Sequence, residues 1–520
     1  MSMIKSTITN AADITILTLI DNTYRTIRGN NSIAACVVEA PKGPVGRVLN
    51  VHGENWRDIL GKPFHAREGI KSEGLRHLNE AAEACESVQV VRVVAEDAEF
   101  PSIGFNSTGA AEPITKSSHK YGTTVESDTG VAITVYPKDG DPSTKRKISI
   151  TNVDTEKERI TLEVTEQDSL GADQLVERLT FSFDPDAVDD MGAPAYVESV
   201  FENFSTRLDV SVGPDASIAD FAVTGPEAFE GGTNGGVPTT EDYKKAWNAF
   251  RDMRVDLNFM FAAGNYDVDV LANCIEIAEG RHAQFFFDAP AQLGNDAAVN
   301  WLSNAALQSR QANCYHGAFS FQDPFYGGRA VWGYSGAVAA ARARGNANFA
   351  GNVPGVHYAA AGTKRGGINR RGARALYATD PLDKDAFYTA RINPILANET
   401  GPGVVIGDDL AIHFQENYSR FGWVNSITNY IVHRFMQAAA FAKFEPDGLT
   451  RDILTDLTTE MMEELVTAGA LVRPRDDANG GNRPYVIKVE QVEIDLWKVT
   501  WEVCPTGAAR RIAGQPKLIK

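Results

Sequence analysis

The sequence predicts an α/β core that is interrupted by an inserted all-β domain and carries extended N- and C-terminal arms. Three observations predict it. Strand-like and helix-like patterns alternate over residues 32–100 and again beyond residue 239, as in a parallel sheet covered by helices. Residues 112–228 instead carry period-two apolar patterns, as in half-buried antiparallel strands. Both chain ends read as extended segments set off by polar linkers.

Residues 13–20 are rich in Ile, Leu and Thr and lack a helical period, so they read as a strand. Ile14, Ile16, Leu17 and Leu19 are among its apolar side chains, and the polar residues 22–31 separate it from the next apolar run. With no neighbour in sequence, such a strand pairs with its own core or with another chain. Residues 33–38 form an apolar run ended by Pro41 and Pro44. Leu75, Leu78, Ala82 and Cys85 follow a helical period, and residues 88–94 read as a second strand.

In the next stretch, Val131/Ile133/Val135, Ile148/Ile150, Ile160/Leu162/Val164, Leu179/Phe181/Phe183 and Leu208/Val210/Val212 each alternate with polar residues. This is also where the charge lies. Residues 126–230 hold 23 acids against 8 bases, whereas the other residues hold 45 against 42 and the whole chain is at −18. An outer domain whose charge is solvated explains this, and a generic nucleic-acid partner is excluded for want of a basic surface.

The glycine-rich residues 231–236 read as a flexible domain junction. Thr239 followed by Asp242 marks a helix start, with Tyr243, Ala246, Trp247 and Phe250 on one face. Residues 255–261 read as a strand, Val268, Leu271, Ile275 and Ala278 as a helix, and residues 283–287 as a strand. Periodicity is weak over residues 327–378 and returns at 403–406. Helices are expected at 425–443 and 449–468, strands at 485–489, 492–496 and 497–503, and a loose tail from Pro505.

No apolar run approaches the roughly 20 residues that a membrane helix requires, so no membrane insertion is expected, and no secretory signal is evident. Searches for chemistry return little. The glycines at 231–236 lack the Lys-Ser/Thr of a phosphate loop. Ser335 lies in Gly333-Tyr-Ser-Gly-Ala337, where a nucleophile elbow requires Gly two places after the Ser. The nine histidines show no metal-binding spacing, and His433 reads as structural. Neither catalysis nor a metal or cofactor is expected; an α/β enzyme, hydrolase or nucleotide-binding, with an accessory β domain is the alternative.

Three features suit interfaces. Lys364, Arg365, Arg370, Arg371 and Arg374 make a basic loop without interleaved aromatics, better fitted to an acidic protein face than to nucleic acid. Asp452, Asp456, Glu460 and Glu463 line an acidic face of the helix at 449–468. The five cysteines form no C-x-x-C pair, and Cys504, beside the tail, is the candidate for an intermolecular disulfide.

The order of features beyond residue 231 resembles the contractile tail sheath proteins of bacteriophages. It is carried by Phe285-Phe-Phe-Asp-Ala-Pro290, Asp323-Pro324, the small-residue stretch at 331–342, Val353-Pro-Gly-Val-His-Tyr-Ala-Ala-Ala-Gly362, Ile392-Asn-Pro394, Gly403-Val-Val-Ile-Gly407, Phe421-Gly-Trp-Val-Asn425 with Arg434, Phe444-Glu-Pro-Asp447 and Ala468-Gly-Ala-Leu471. The resemblance implies a structural subunit that stacks as hexameric rings around an inner tail tube and contracts to drive that tube through the host envelope. It implies terminal arms that add β-strands to neighbouring subunits. The natural donors are Ile14, Ile16, Leu17 and Leu19 at one end and Val499, Trp501 and Val503 at the other, with hinges at 22–31 and 505–515. The implied partners are the protein itself, the inner tube protein, which the acidic helix would face, and baseplate and tail terminator proteins. The implied location is the virion, after assembly in the host cytoplasm. The expected divisions are an arm and linker (1–31), the first part of the core (32–111), the β domain (112–228), the sheath core (229–400), a C-terminal α/β domain (401–504) and an arm (505–520).

Overall fold

The computed structural model describes residues 31–512 and 515, apart from residues 109, 111, 144, 169–170, 190, 215, 378, 399–400, 402 and 476–481. The expected strand with Ile14, Ile16, Leu17 and Leu19 lies outside the described residues. From residue 31 the chain forms β1 (Ile33–Glu39), β2 (Val48–Val51), the short helix α1 (Trp56–Leu60), α2 (Gly74–Ala82) and β3 (Ser87–Val93).

Next come β4 (Glu99–Asn106), β5 (Ile114–Lys120), β6 (Val131–Pro137), β7 (Arg146–Asp154), β8 (Arg159–Gln167), β9 (Asp173–Phe181), α3 (Val197–Phe204), β10 (Leu208–Val212) and β11 (Glu227–Ala228). They build two four-stranded antiparallel sheets, β10-β6-β4-β5 and β11-β7-β8-β9. Ile103, Ile133, Val135, Ile150, Leu162 and Phe181 share one core with Val200 and Phe201 of α3. This pairing begins at Glu99, upstream of the residue-112 boundary, and it includes a helix. Pro101 and Gly104 interrupt the strand pattern of β4, and β5 is almost wholly polar, so neither announces itself by alternation.

The rest of the chain supplies α4 (Thr240–Asn248), β12 (Phe259–Phe261), α5 (Val268–Arg281), β13 (Gln284–Asp288), α6 (Asn295–Ala305), β14 (Ala312–His316), β15 (Phe319–Gln322), β16 (Arg329–Ala330) and α7 (Ser335–Asn346). After these come α8 (Gly362–Arg365), β17 (Gly367–Ile368), β18 (Arg374–Ala375), α9 (Lys384–Ala390), β19 (Ile392–Ala397) and β20 (Val404–Ile406). The chain closes with α10 (Gly422–Ala442), α11 (Asp447–Thr467), β21 (Tyr485–Glu493) and β22 (Leu496–Val503).

The central sheet has nine strands in the order β17-β20-β19-β14-β13-β12-β1-β3-β2. Its six central strands, β19 to β3, run parallel, and β20 and β2 flank them antiparallel. Helices cover both faces, which is why these strands read as unbroken apolar runs. Ala34, Cys36, Val38, Phe259 and Phe286 face α2 and α7. Ala35, Val37, Met260, Phe285 and Phe287 face α4, α5 and α6. Each fully buried Phe of the 285–287 run contributes roughly 1.5–3 kcal/mol. The start of α4 is the expected capping box, in which the Thr239 backbone N–H donates to Asp242 Oδ2 at 2.8 Å.

Helix α7 explains the weak periodicity after residue 327. Ala337, Ala339, Ala340, Ala341 and Ala343 are all buried, so the helix has no polar face to set a period. Gly336 allows it to lie against α2, since a Cβ there would sit 2.7 Å from His77 Cα. The expected flexible junction at 231–236 is instead closely packed. Thr233 pairs with Glu99, and a Cβ on Gly235 would sit 2.8 Å from the Ala98 nitrogen. These glycines let the strand leaving the two-sheet region pass directly beside the strand entering it.

Two more expectations change. The three strands expected after residue 485 are two, joined by a turn at 494–495 into a hairpin. The tail from Pro505 is bound at least to Arg510: Pro505 pairs with Leu471, Trp423 donates to the Thr506 carbonyl at 3.2 Å, and Arg510 Nε donates to Asp408 at 2.8 Å.

Candidate assembly surfaces

A cluster of Ser, His and acid is sealed inside the core. Ser335 Oγ lies 3.3 Å from His77 Nδ1, and His77 Nε2 lies 3.8 Å from Glu73. Asp288 accepts the backbone N–H groups of Tyr334 and Ser335 at 2.8 and 2.9 Å, capping the start of α7. Burial pushes the Asp288 carboxyl up from its ordinary range, against the pull of His77 and these N–H groups. Ser335 and His77 are fully buried, and this cluster locks α2, α7 and the end of β13 together. Arg342 of α7 likewise donates to Asp409 at 2.7 Å, both buried, a pair that sequence reading missed.

The basic loop does not form one patch. Arg370 is buried: Nε and Nη2 donate to the two carboxylate oxygens of Glu80 at 2.7 and 2.9 Å, and the guanidinium stands 4.2 Å from the Trp332 ring. Arg365 stacks on Tyr358 at 3.8 Å. Lys364, Arg371 and Arg374 stay exposed, and Arg374 belongs to β18, paired with Ser320 of β15. Five cations in the sequence therefore become one structural clamp, one stacked side chain and three surface charges.

On α11, Asp452, Asp456, Glu460 and Glu463 are all exposed, and their spacing keeps them on one side of the helix. The next acid, Glu464, turns inward to Arg434 of α10 at 3.4 Å. Leu454, Met461, Met462 and Leu465 bury the opposite side, against Ile427, Tyr430 and Ile431 of α10 in the case of the last three.

The hairpin crosses these two helices. Val499, Trp501 and Val503 do not form a free strand: they pair with Val489, Ile487 and Tyr485 of β21. Trp501 also stands 4.9 Å from the ring of Phe435. Detaching β22 would break this ladder and uncover Trp501, so within the subunit the three residues are held in the hairpin. Among the described residues neither β21 nor β22 pairs with a further strand, which leaves one backbone edge open on each side. Cys504, just past β22, is half-buried, whereas Cys36, Cys85, Cys274 and Cys314 are buried.

Beside the hairpin lies an apolar groove of about 840 Å³, walled by Met436 and Ala440 of α10, Phe444 of the turn before α11, and Ile494, Leu496 and Trp497 of the hairpin. Phe444 and Ile494 are 94% and 92% exposed, and Met436 and Leu496 are 61% and 47% exposed. Contiguous exposure of this kind marks an interaction surface.

No protein-family model and no curated protein matches the sequence. Solved structures do. A sheath tail protein of Desulfitobacterium hafniense matches 91% of this chain and 96% of its own at 14% identity, with a TM-score of 0.53. A sheath tail protein of Listeria innocua matches 90% of this chain and 94% of its own at 11% identity, with a TM-score of 0.54. A sheath complex of an extracellular contractile injection system in its contracted state matches 54% of this chain at 15% identity, with a TM-score of 0.42. On the two end-to-end matches, the chain has the mixed α/β fold of sheath tail proteins. Among the described residues no helix is long and apolar enough to cross a membrane.

Proposed function

We propose that this chain is the structural subunit of a contractile tail sheath, which polymerises as stacked hexameric rings around an inner tail tube and shortens to drive the tube through a host envelope. The observation that carries this reading is the match of fold to two sheath tail proteins over nine-tenths of each chain. It is a structural role and not a catalytic one. The location is the virion, reached after assembly in the host cytoplasm.

The hairpin supports strand exchange as the means of linking subunits. With an open edge on both β21 and β22, it is an acceptor for strands from neighbours, held by main-chain hydrogen bonds. Residues 14–20, with Ile14, Ile16, Leu17 and Leu19, are the donor. Such a link survives rotation of the rigid bodies it joins. The two-sheet region with its excess of acids faces outward, the row Asp452, Asp456, Glu460 and Glu463 faces the tube, and Lys364, Arg371 and Arg374 meet an acidic neighbour. Cys504, half-buried where the other four cysteines are buried, is the thiol that would bridge subunits. Baseplate and tail terminator proteins complete the partners; nucleic acid and membrane insertion play no part.

The test is negative-stain electron microscopy of the purified full-length chain, alone and with an inner tube protein. Hollow tubes with a helical surface are expected. Compact particles under both conditions overturn the reading. Deleting residues 1–24 is expected to abolish the tubes, and tubes that persist would remove the donor role from residues 14–20.

A further inference from the structure

We infer that in the free subunit residues 13–20 lie in the apolar groove beside their own hairpin and cover it until assembly. The docking does not depend on the sheath reading; its consequence for polymerisation does.

The argument starts from where the described chain begins. Asn31 lines a cleft walled by His433, Arg434 and Gln437 of α10, and its carbonyl accepts from Asn346 Nδ2 at 2.7 Å. His433, Met436, Gln437 and Ala440 are spaced three, four and seven residues apart, so they form one stripe along α10. His433 and Gln437 of that stripe line the cleft, and Met436 and Ala440 wall the groove. From His433 to Ala440 the helix advances about 10 Å. The residues between Ile20 and Asn31 span up to about 36 Å when extended, so the segment reaches the groove with slack.

The chemistry matches. The groove offers Met436, Phe444, Ile494 and Leu496 to water, and residues 13–20 are the most apolar stretch of the thirty residues before the described fold. The groove mouth carries Lys443 together with Glu445, Asp447 and Asp495, so charge selects little and apolar contact supplies the attraction.

Proximity decides whose segment binds. A short tether sets an effective concentration on the order of millimolar. A second copy of the chain at micromolar concentration cannot compete with that. In the sheath reading, the free subunit therefore keeps its donor strand and its exposed groove occupied by each other. Exchange with a neighbour becomes favourable where stacked copies raise the local concentration to the same level.

The test is disulfide trapping in the full chain, with Leu17→Cys and Leu496→Cys introduced in a Cys504→Ser background and oxidised at low micromolar protein. A cross-link within the monomer, unchanged on dilution, is expected. A cross-linked dimer, or no cross-link between these positions, overturns the proposal. Hydrogen exchange gives a second reading that requires no new cysteine. Removing residues 1–24 is expected to speed exchange about tenfold at the end of α10 and at 494–499, the protection expected of a ligand at about ten times its dissociation constant. Unchanged exchange there overturns the proposal even if the protein forms tubes. A monomeric cross-link in a protein that never forms tubes leaves the docking standing and removes the sheath reading instead.

Discussion

Arg92 Nη1 donates to the carbonyl of Gly140 at 3.1 Å, joining a strand of the central sheet to a turn of the two-sheet region. The same guanidinium donates to Ala40 O at 3.0 Å, to Gly43 O and to Asn234 Oδ1, with the Tyr121 ring 5.6 Å away. Arg92 is fully buried, and burial draws its pKa down, opposed by Tyr121, Asp141 and Asp139. One side chain thus holds together the loop after β1, a turn of the two-sheet region and the returning connection at Asn234. Replacing it leaves several buried carbonyls without a donor, so Arg92→Ala is expected to destabilise the full chain by about 3 kcal/mol. Urea unfolding checks this, and a loss under about 1 kcal/mol would refute the clasp.

The cations of the 364–374 loop should separate cleanly. Arg370→Ala leaves the half-buried Glu80 carboxylate without its cation and strips the buried carbonyls of Trp332 and Gly333 of a donor, so it is expected to lose about 3 kcal/mol. Arg371→Ala and Arg374→Ala, both at exposed positions, are expected to stay within about 0.5 kcal/mol of the parent. Equal effects at all three positions in a thermal melt would contradict the division into clamp and surface.

Two glycines of α7 make a matched pair. At Gly336 an added methyl meets the backbone of His77, so Gly336→Ala is expected to lose about 3 kcal/mol or to prevent folding. At Gly345 nothing lies within 4 Å of the added carbon, so Gly345→Ala is expected to gain up to about 1 kcal/mol of helix propensity. Denaturation midpoints of the two variants moving in the same direction would refute the close contact between α2 and α7.

His316 should make the fold acid-sensitive. It closes β14 and is buried, and burial outweighs the opposing pull of the Ala289 and Leu293 backbone and of Asp380. Burial pulls its pKa from 6.5 to about 4. The unfolded chain therefore binds the proton first, and this contribution is complete above pH 6.5 and lost as pH falls towards 4. A shift of this size corresponds to about 3 kcal/mol. Unfolding of the parent and of His316→Phe across that window is the measurement; the parent should show the steeper loss, and parallel curves would rule His316 out as the source.

The outcome at particular residues shows which information was local. Residues 33–38 and 285–287 read as buried strands because a strand covered on both faces needs every side chain apolar. The start of α4 was legible because Thr239 and Asp242 satisfy each other's backbone groups within one turn. By contrast, β5 carries no alternation, and its place in a sheet is set by β4 across a loop.

The sequence by itself determined the α/β core, the run of antiparallel strands, the acidic segment and the acidic face of α11, since each depends on residues two to four apart. Only the tertiary structure decided that Arg370 clamps Glu80 across 290 residues, and that Val499, Trp501 and Val503 belong to a closed hairpin. It also decided that the glycines at 232 and 235 pack tightly, and that Arg510 holds the tail to Asp408. A charge, a glycine or a strand edge has no local signature for its partner: the partner is whatever the folded chain brings within a few ångströms.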